Sequence, residues 1–170
     1  STAAVMLEPI QGETGVHVIP DELIAAAREA CDEAGAVLVF DEIQTGMGRT
    51  GSLWAYEQLS ARPDVLTTAK ALGGGLPVGA CVTTGELGFV LEAGDHGSTF
   101  AGGPLVAAAA LAAFDVIDDP ELLRRTRELG GRLRSGLEEI DGVSEVRGRG
   151  LMLGASLSDG WKAPELAARL

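Results

Sequence analysis

Apolar positions come in two kinds of run along this chain. Residues 4–7, 37–40, 65–68 and 78–83 are short stretches rich in Val, Leu, Ala and Thr, with the length and composition of β-strands. The run at 37–40 is apolar at every position, which predicts a strand covered by helices on both faces, as in a parallel sheet. Residues 21–34 instead space Leu23, Ile24, Ala27, Cys31 and Ala34 along one helical face, opened by Pro20 and Asp21 and closed by Gly35. A short helix is expected over 52–60. Strand, helix, strand, helix, strand is the order of a wound α/β sheet.

The pattern changes at Pro104. Residues 105–117 predict a long Ala-rich helix, and Asp118-Asp119-Pro120 opens a second, with Leu122, Thr126, Leu129, Leu133, Leu137 and Ile140 along one stripe. Its arginines (124, 125, 127, 132 and 134) alternate with acids, the signature of a solvated face and not of a binding patch. Residues 143–157 then predict two short strands around Gly148-Arg149-Gly150, so a second, smaller domain is expected to start near residue 118.

Composition narrows the function classes. At 170 residues the chain can bury a real core, built from small aliphatic side chains because aromatics are only 4%. A net charge of −12 repels phosphate backbones and anionic lipid, which argues against nucleic-acid and membrane partners. The longest apolar run, 105–114, is too short to span a bilayer. Cys31 and Cys81 follow no metal spacing; reduced core thiols are expected, with no metal. No basic leader opens the chain, so a cytoplasmic location is expected. The chain starts at Ser1, already entering a strand, and stops at Leu170 in a helix-like stretch, which points to a piece of a longer protein.

Residues 37–51 read VLVFDEIQTGMGRTG and raise the chemical question. Glycines 46, 48 and 51 have the G-x-G-x-x-G spacing of a dinucleotide turn. That turn needs its first glycine directly after the strand and an acid ending the next strand. Here Asp-Glu-Ile-Gln-Thr intervenes, and the next strand runs into Lys70. A nucleotide hydrolase needs a glycine loop closing in Lys-Ser or Lys-Thr, which neither GMGRTG nor ALGGGLPVG supplies.

What remains is a carboxylate, Asp41, at one strand end and an amine, Lys70, at the end of a strand 29 residues on, the length of one βαβ unit. At neighbouring strand ends they would face one crevice, where open α/β sheets bind ligands. Lys70 lies between small side chains in LTTAKALGGGLPVGA, where an amine would lose hydration and become a useful nucleophile. The glycines at 73–75 let a bulky ligand approach the backbone. A buried lysine opposite a buried aspartate suits pyridoxal phosphate: the lysine forms a Schiff base and the aspartate pairs with the pyridine nitrogen. A solvated lysine, or a plain Lys-Asp ion pair, accounts for the spacing equally well.

LEPIQGETG, VFDEIQTGMGRTG, TTAKALGGGLPVGA and GSTFAGGPL, in this order, resemble the class III (ornithine-type) aminotransferases of fold type I. Within that family the stretch 96–100, HGSTF, is most similar to the acetylornithine aminotransferases and their ornithine and succinylornithine relatives. The resemblance covers nearly the whole chain. It implies an α/β fold: residues 1–117 as part of the large wound, cofactor-binding domain, including a linking helix at 104–117, and 118–170 as the beginning of a small α+β C-terminal domain.

The resemblance also implies roles. Lys70 is the Schiff-base lysine and, once displaced, the base that moves the proton at the substrate Cα. Asp41 keeps the pyridine nitrogen protonated, and Gln44 hydrogen-bonds the phenolic oxygen. Ser98 and Thr99 match the stretch that reaches the phosphate across a homodimer interface, Thr99 toward the partner's cofactor. Glu13 matches a glutamate that gates a substrate-binding arginine, and Glu8 is either structural or near the site. The reaction implied is amino transfer from N-acetylornithine to 2-oxoglutarate, in arginine biosynthesis. Ornithine, succinylornithine, succinyldiaminopimelate and 4-aminobutyrate are the alternative donors.

Two departures matter. Ala101-Gly102-Gly103-Pro104 stands where the family has Gly-Gly-Asn-Pro. Family members are also more than twice as long. Their remaining segments supply a phosphate cup, an aromatic that stacks on the ring, and the arginine for the substrate carboxylate; Arg147 and Arg149 lie too early to be that arginine. Taken alone, these residues are expected to form an incomplete site with poor activity. The reading from another class is an inactive α/β fragment that neither binds cofactor nor dimerises, and a nucleotide-binding module is the weakest.

Overall fold

The computed structural model describes residues 2–158 and 160–168. Strands β1 (Ala4–Leu7), β4 (Val37–Asp41), β5 (Val65–Thr68) and β6 (Ala80–Thr83) form one sheet in the order β1-β4-β5-β6. The first three run parallel; β6 is antiparallel to β5. Between β1 and β4 lie a small hairpin, β2 (Ile10–Gln11) with β3 (His17–Val18), and helix α1 (Asp21–Ala34). The acids Asp21 and Glu22 occupy the first turn of α1, where its dipole favours negative charge. Gly35 ends it in the left-handed conformation at φ 62°.

Alternation along β4 sets the core. Leu38 and Phe40 are fully buried against Ile24 and Cys31 of α1, with Ile19, Ala36 and Ala61 completing the cluster. Val37, Val39 and Asp41 point to the other face and are only half-buried. The all-apolar run at 37–40 predicts cover on both faces, but α1 covers one, and Met6 on the open face is 57% exposed. Asp64 fixes the covered side by accepting from Arg28 of α1 at 2.9 Å and from the Leu38 amide at 2.8 Å.

Three expectations need correction. The link from β4 to β5 is a long turn with one 3₁₀ segment, Ala55–Gln58, instead of a helix over 52–60. The glycine cluster after Lys70 reverses the chain, which is why β6 returns antiparallel and starts at Ala80. Cys81 lies exposed on that edge strand; only Cys31 is a core thiol.

Helix α2 (Pro104–Ile117) lies against the turn at Lys70–Gly73 and leaves Leu105, Leu111 and Val116 exposed. No helix among the described residues is long and apolar enough to cross a membrane. In α3 (Pro120–Glu138), Pro120 takes the first position and Asp119 caps the Glu121 amide. The leucine stripe of α3 is half exposed; its buried positions are Thr126 and Gly130. These face the hairpin of β7 (Val143–Arg149) and β8 (Met152–Leu157), ahead of the short helix α4 (Ala163–Ala167).

A methyl group on Gly130 would sit 2.2 Å from the Gly150 carbonyl oxygen, while one on neighbouring Gly131 would meet nothing within 4 Å. Gly130→Ala is therefore expected to destabilise the fold by about 1–3 kcal/mol, and Gly131→Ala to stabilise it by up to about 1 kcal/mol. Denaturant unfolding of the two variants checks both signs.

Candidate active site

The carboxyl ends of β1, β4 and β5 deliver Glu8, Asp41 and Lys70 to one edge of the sheet. Asp41 pairs in register with Thr67, and the Glu42 amide donates to the Thr67 carbonyl at 2.9 Å, so the two strands leave the sheet together. Lys70 opens the 3₁₀ turn three residues beyond Thr67. Beside it lies a cleft of about 360 Å³ whose walls include Gly12, Gln44 and Lys70 from the sheet side and Leu151, Met152 and Leu153 from the β7–β8 hairpin.

The side chains are partly pre-arranged. The Asp41 Oδ1 accepts from the Ile43 amide at 2.9 Å, and among the described residues no donor occupies Oδ2. The Gln44 Nε2 donates to the Glu13 carboxylate at 3.0 Å. Gly12 makes that approach possible, since a Cβ there would lie 2.3 Å from the Gln44 Oε1. Glu8 accepts from the Gly12 amide at 3.3 Å and so supports the same loop.

Two placements differ from expectation. Lys70 is exposed and makes no ion pair with the half-buried Asp41, so the pair is not buried as the spacing predicts. The alanines and glycines flanking the lysine are too small to cover its amine. Ser98 and Thr99 lie in an exposed segment before α2, outside the Lys70 cleft; the Ser98 hydroxyl accepts from the Ala101 amide. Among the described residues no group of three His, Cys, Asp or Glu could hold a metal ion.

Sequence reasoning missed Glu42. Its side chain falls on the Leu38–Phe40 face and is fully buried. It accepts from the Ala55 amide at 2.6 Å, the Tyr56 amide at 2.8 Å and the Thr45 hydroxyl at 3.1 Å. Burial pushes its carboxyl above the ordinary glutamate value, against the pull of those three donors. The period-2 alternation of β4, carried one residue past Asp41, was the available signal. The hairpin's share of the cleft left no such signal, because β7 and β8 lie about a hundred residues away in sequence.

The donor set fits pyridoxal phosphate at the ring: an accessible amine for its aldehyde, a carboxylate oxygen free for a cationic nitrogen, and a carboxamide for a phenolic oxygen. Backbone strain concentrates here too. Among the described residues, the non-glycine positions with positive φ are Val16 at 62°, Met47 at 54° and Lys70 at 48°. Val16 and Lys70 line the cleft, and Met47 follows Gly46, which also lines it. Such conformations cost of order 1–3 kcal/mol each and cluster at functional sites.

Comparison with known proteins points the same way. A family model described as aminotransferase class-III matches residues 1–169. The succinylornithine transaminase/acetylornithine aminotransferase of Pseudomonas aeruginosa is 50% identical over 165 residues, covering 95% of this chain and 41% of that protein. The N-acetylornithine aminotransferase structure from Stenotrophomonas maltophilia superposes with a TM-score of 0.80 at 46% identity, over 92% of this chain and 42% of that one. The ornithine aminotransferase of Toxoplasma gondii, whose structure shows partial occupancy of PLP at its active site, gives a TM-score of 0.86 at 37% identity, over 95% of this chain and 39% of that one. The chain thus spans well under half the length of the relatives it matches.

Glu42→Gln puts an amide donor where the Glu42 carboxylate accepts from Ala55 or Tyr56, an expected loss of about 1–3 kcal/mol. The pH dependence has a definite sign. A carboxyl with a raised folded pKa contributes stability in full below its unfolded value and loses it as pH rises through the folded one. The gap between native and Glu42→Gln chains should narrow as pH rises above the ordinary glutamate range. Unfolding curves at a series of pH values check it; parallel curves would contradict it.

Proposed function

The chain belongs to the class-III aminotransferases, and we propose that it carries the cofactor-binding centre of an enzyme that moves the amino group of N-acetylornithine or succinylornithine to 2-oxoglutarate. The observation that carries this reading is the parallel β4–β5 pairing, which brings Asp41 and Lys70 to one end of the sheet, with Lys70 and Gln44 in the wall of one cleft. The donor is chosen on the relative of that double name and on further acetylornithine aminotransferases at 46–52% identity.

Pyridoxal phosphate, the cofactor of this family, supplies an aldehyde for amine exchange and a ring that takes up the electron pair left at the substrate Cα. Lys70 anchors it and, once free, serves as the base that holds the Cα proton. Its exposed amine is open to a ligand entering from the cleft. Asp41 keeps a proton on the ring nitrogen, because a neighbouring carboxylate favours the charged form. Gln44 donates to the phenolic oxygen, and Glu13, bonded to Gln44, gates the substrate's carboxylate-binding arginine. Ser98 and Thr99 serve the phosphate held by a partner subunit.

That last role assumes a homodimer. Phe89 and Phe100 are 87% and 89% exposed, and Leu105 and Leu111 of α2 are exposed too, apolar side chains that a second copy would cover. Residues 1–117 are assigned to a large domain and 118–170 to the beginning of a small one. A cytoplasmic location suits a biosynthetic enzyme of small amino acids.

Absorbance of the protein with added pyridoxal phosphate, before and after borohydride, tests the reading. A visible imine band should form and become fixed on reduction, and Lys70→Ala should abolish both. Amino transfer should fall by about 10²–10⁴-fold in that variant. A band indifferent to Lys70 would overturn the assignment.

A further inference from the structure

The loop between β2 and β3 carries Glu13; Glu8 supports its start through the Gly12 amide, and the distant β7–β8 hairpin holds its far end. Arg147 of β7 donates from Nε to the Gly15 carbonyl at 2.8 Å. Its guanidinium is itself fixed by Glu145, at 3.0 Å, and by the Ser156 hydroxyl. Gly154, the register partner of Arg147, leaves the space into which the loop settles: a Cβ there would lie 2.8 Å from the Gly15 oxygen and 2.9 Å from the Val16 Cβ. Gly148 receives the other side of Val16: a Cβ on it would lie 3.0 Å from the Val16 Cγ1.

The strain in Val16 shows that this contact is imposed. A β-branched residue at φ 62° is an outlier that local preference opposes. Only a seat that over-determines the backbone holds such a residue there. Three residues before Val16, the Glu13 carboxylate meets Gln44 at the cleft wall. The hairpin therefore fixes one end of a five-residue loop whose other end faces the amine site.

We infer that Arg147 is a positioning residue for Glu13: with the Gly148–Gly154 seat for Val16, it makes the β7–β8 hairpin set where the gating carboxylate stands against Gln44. The function given to Glu13 rests on the aminotransferase reading; the mechanical link does not. A shift of the hairpin relative to the sheet would carry Glu13 with it, so the gate responds to the position of the C-terminal part of the chain. Lysine is a poor replacement, because its single nitrogen lacks the planar fork that reaches Gly15 from Nε and Glu145 and Ser156 from Nη1.

Amide hydrogen exchange of the chain tests the link without activity. Arg147→Gln should speed exchange across residues 12–18 by about tenfold or more, the order of one hydrogen bond to a charged group, while β4 stays protected. Unchanged protection of 12–18 would overturn the inference. If Arg147→Gln fails to fold, Gly154→Ala decides the matter, because its methyl lifts the loop and leaves Arg147 in place; it should give the same local loosening, and its failure to do so counts against the link. In an active protein containing this chain, Arg147→Gln should lower kcat/KM about tenfold, and adding it to Glu13→Gln should cost nothing more. Equal losses in both backgrounds would refute the positioning role. A protein with no aminotransferase activity sinks the functional reading and leaves the exchange result to decide the link.

Discussion

A carboxylate without access to water holds this structure together at its busiest point. Glu42 leaves β4 on the core side and takes the backbone donors of Ala55 and Tyr56, closing the long turn between β4 and β5 onto itself. A buried acid is tolerated only when its oxygens are satisfied, and three donors satisfy these. The closed turn then becomes a platform. Arg127 of α3 donates to the Gly51 carbonyl, and the Leu151 amide of the hairpin donates to the Arg49 carbonyl at 3.0 Å. Sheet, helix and hairpin thus meet on residues 42–51, which also present Gln44 to the cleft.

The neighbouring residue, Asp41, has the opposite fate for a geometric reason. Successive strand residues face opposite sides, so the Asp-Glu pair is divided between the core and the half-buried opposite face of the sheet. Glu42 spends its oxygens on the donors of the turn, while Asp41 keeps one oxygen free of protein donors among the described residues. Parallel pairing then places Lys70 on the adjacent strand end. The chemistry proposed for the site starts from this division and this pairing, with Gln44 and Glu13 joined beside them.

Much of this was legible in the residues. The strands at 4–7, 37–40 and 65–68 and helix α1 were marked by apolar period and by Pro20 and Gly35, because local preference and tertiary packing agree there. The family motifs pointed to Asp41, Gln44 and Lys70, of which Gln44 and Lys70 line one cleft. Where packing overrides local preference, the sequence was silent. Val16 adopts a left-handed backbone that no β-branched residue chooses alone, and the glycines that seat it lie more than a hundred residues on. The exposure of Lys70 was also hidden, since small neighbours suggest a buried pocket but also leave an amine uncovered. Ser98 and Thr99 stand in an exposed segment away from the Lys70 cleft, a placement that their motif did not announce.

The most direct test is the nitrogen-15 chemical shift of the ring nitrogen in labelled pyridoxal phosphate bound to the protein, with Asp41 and with Asp41→Asn. A shift typical of a protonated pyridinium across neutral pH in the native protein, lost in Asp41→Asn, is the result expected if the β4 carboxylate serves a cofactor ring. A ring nitrogen unprotonated with Asp41 present, or equally protonated without it, would contradict that assignment.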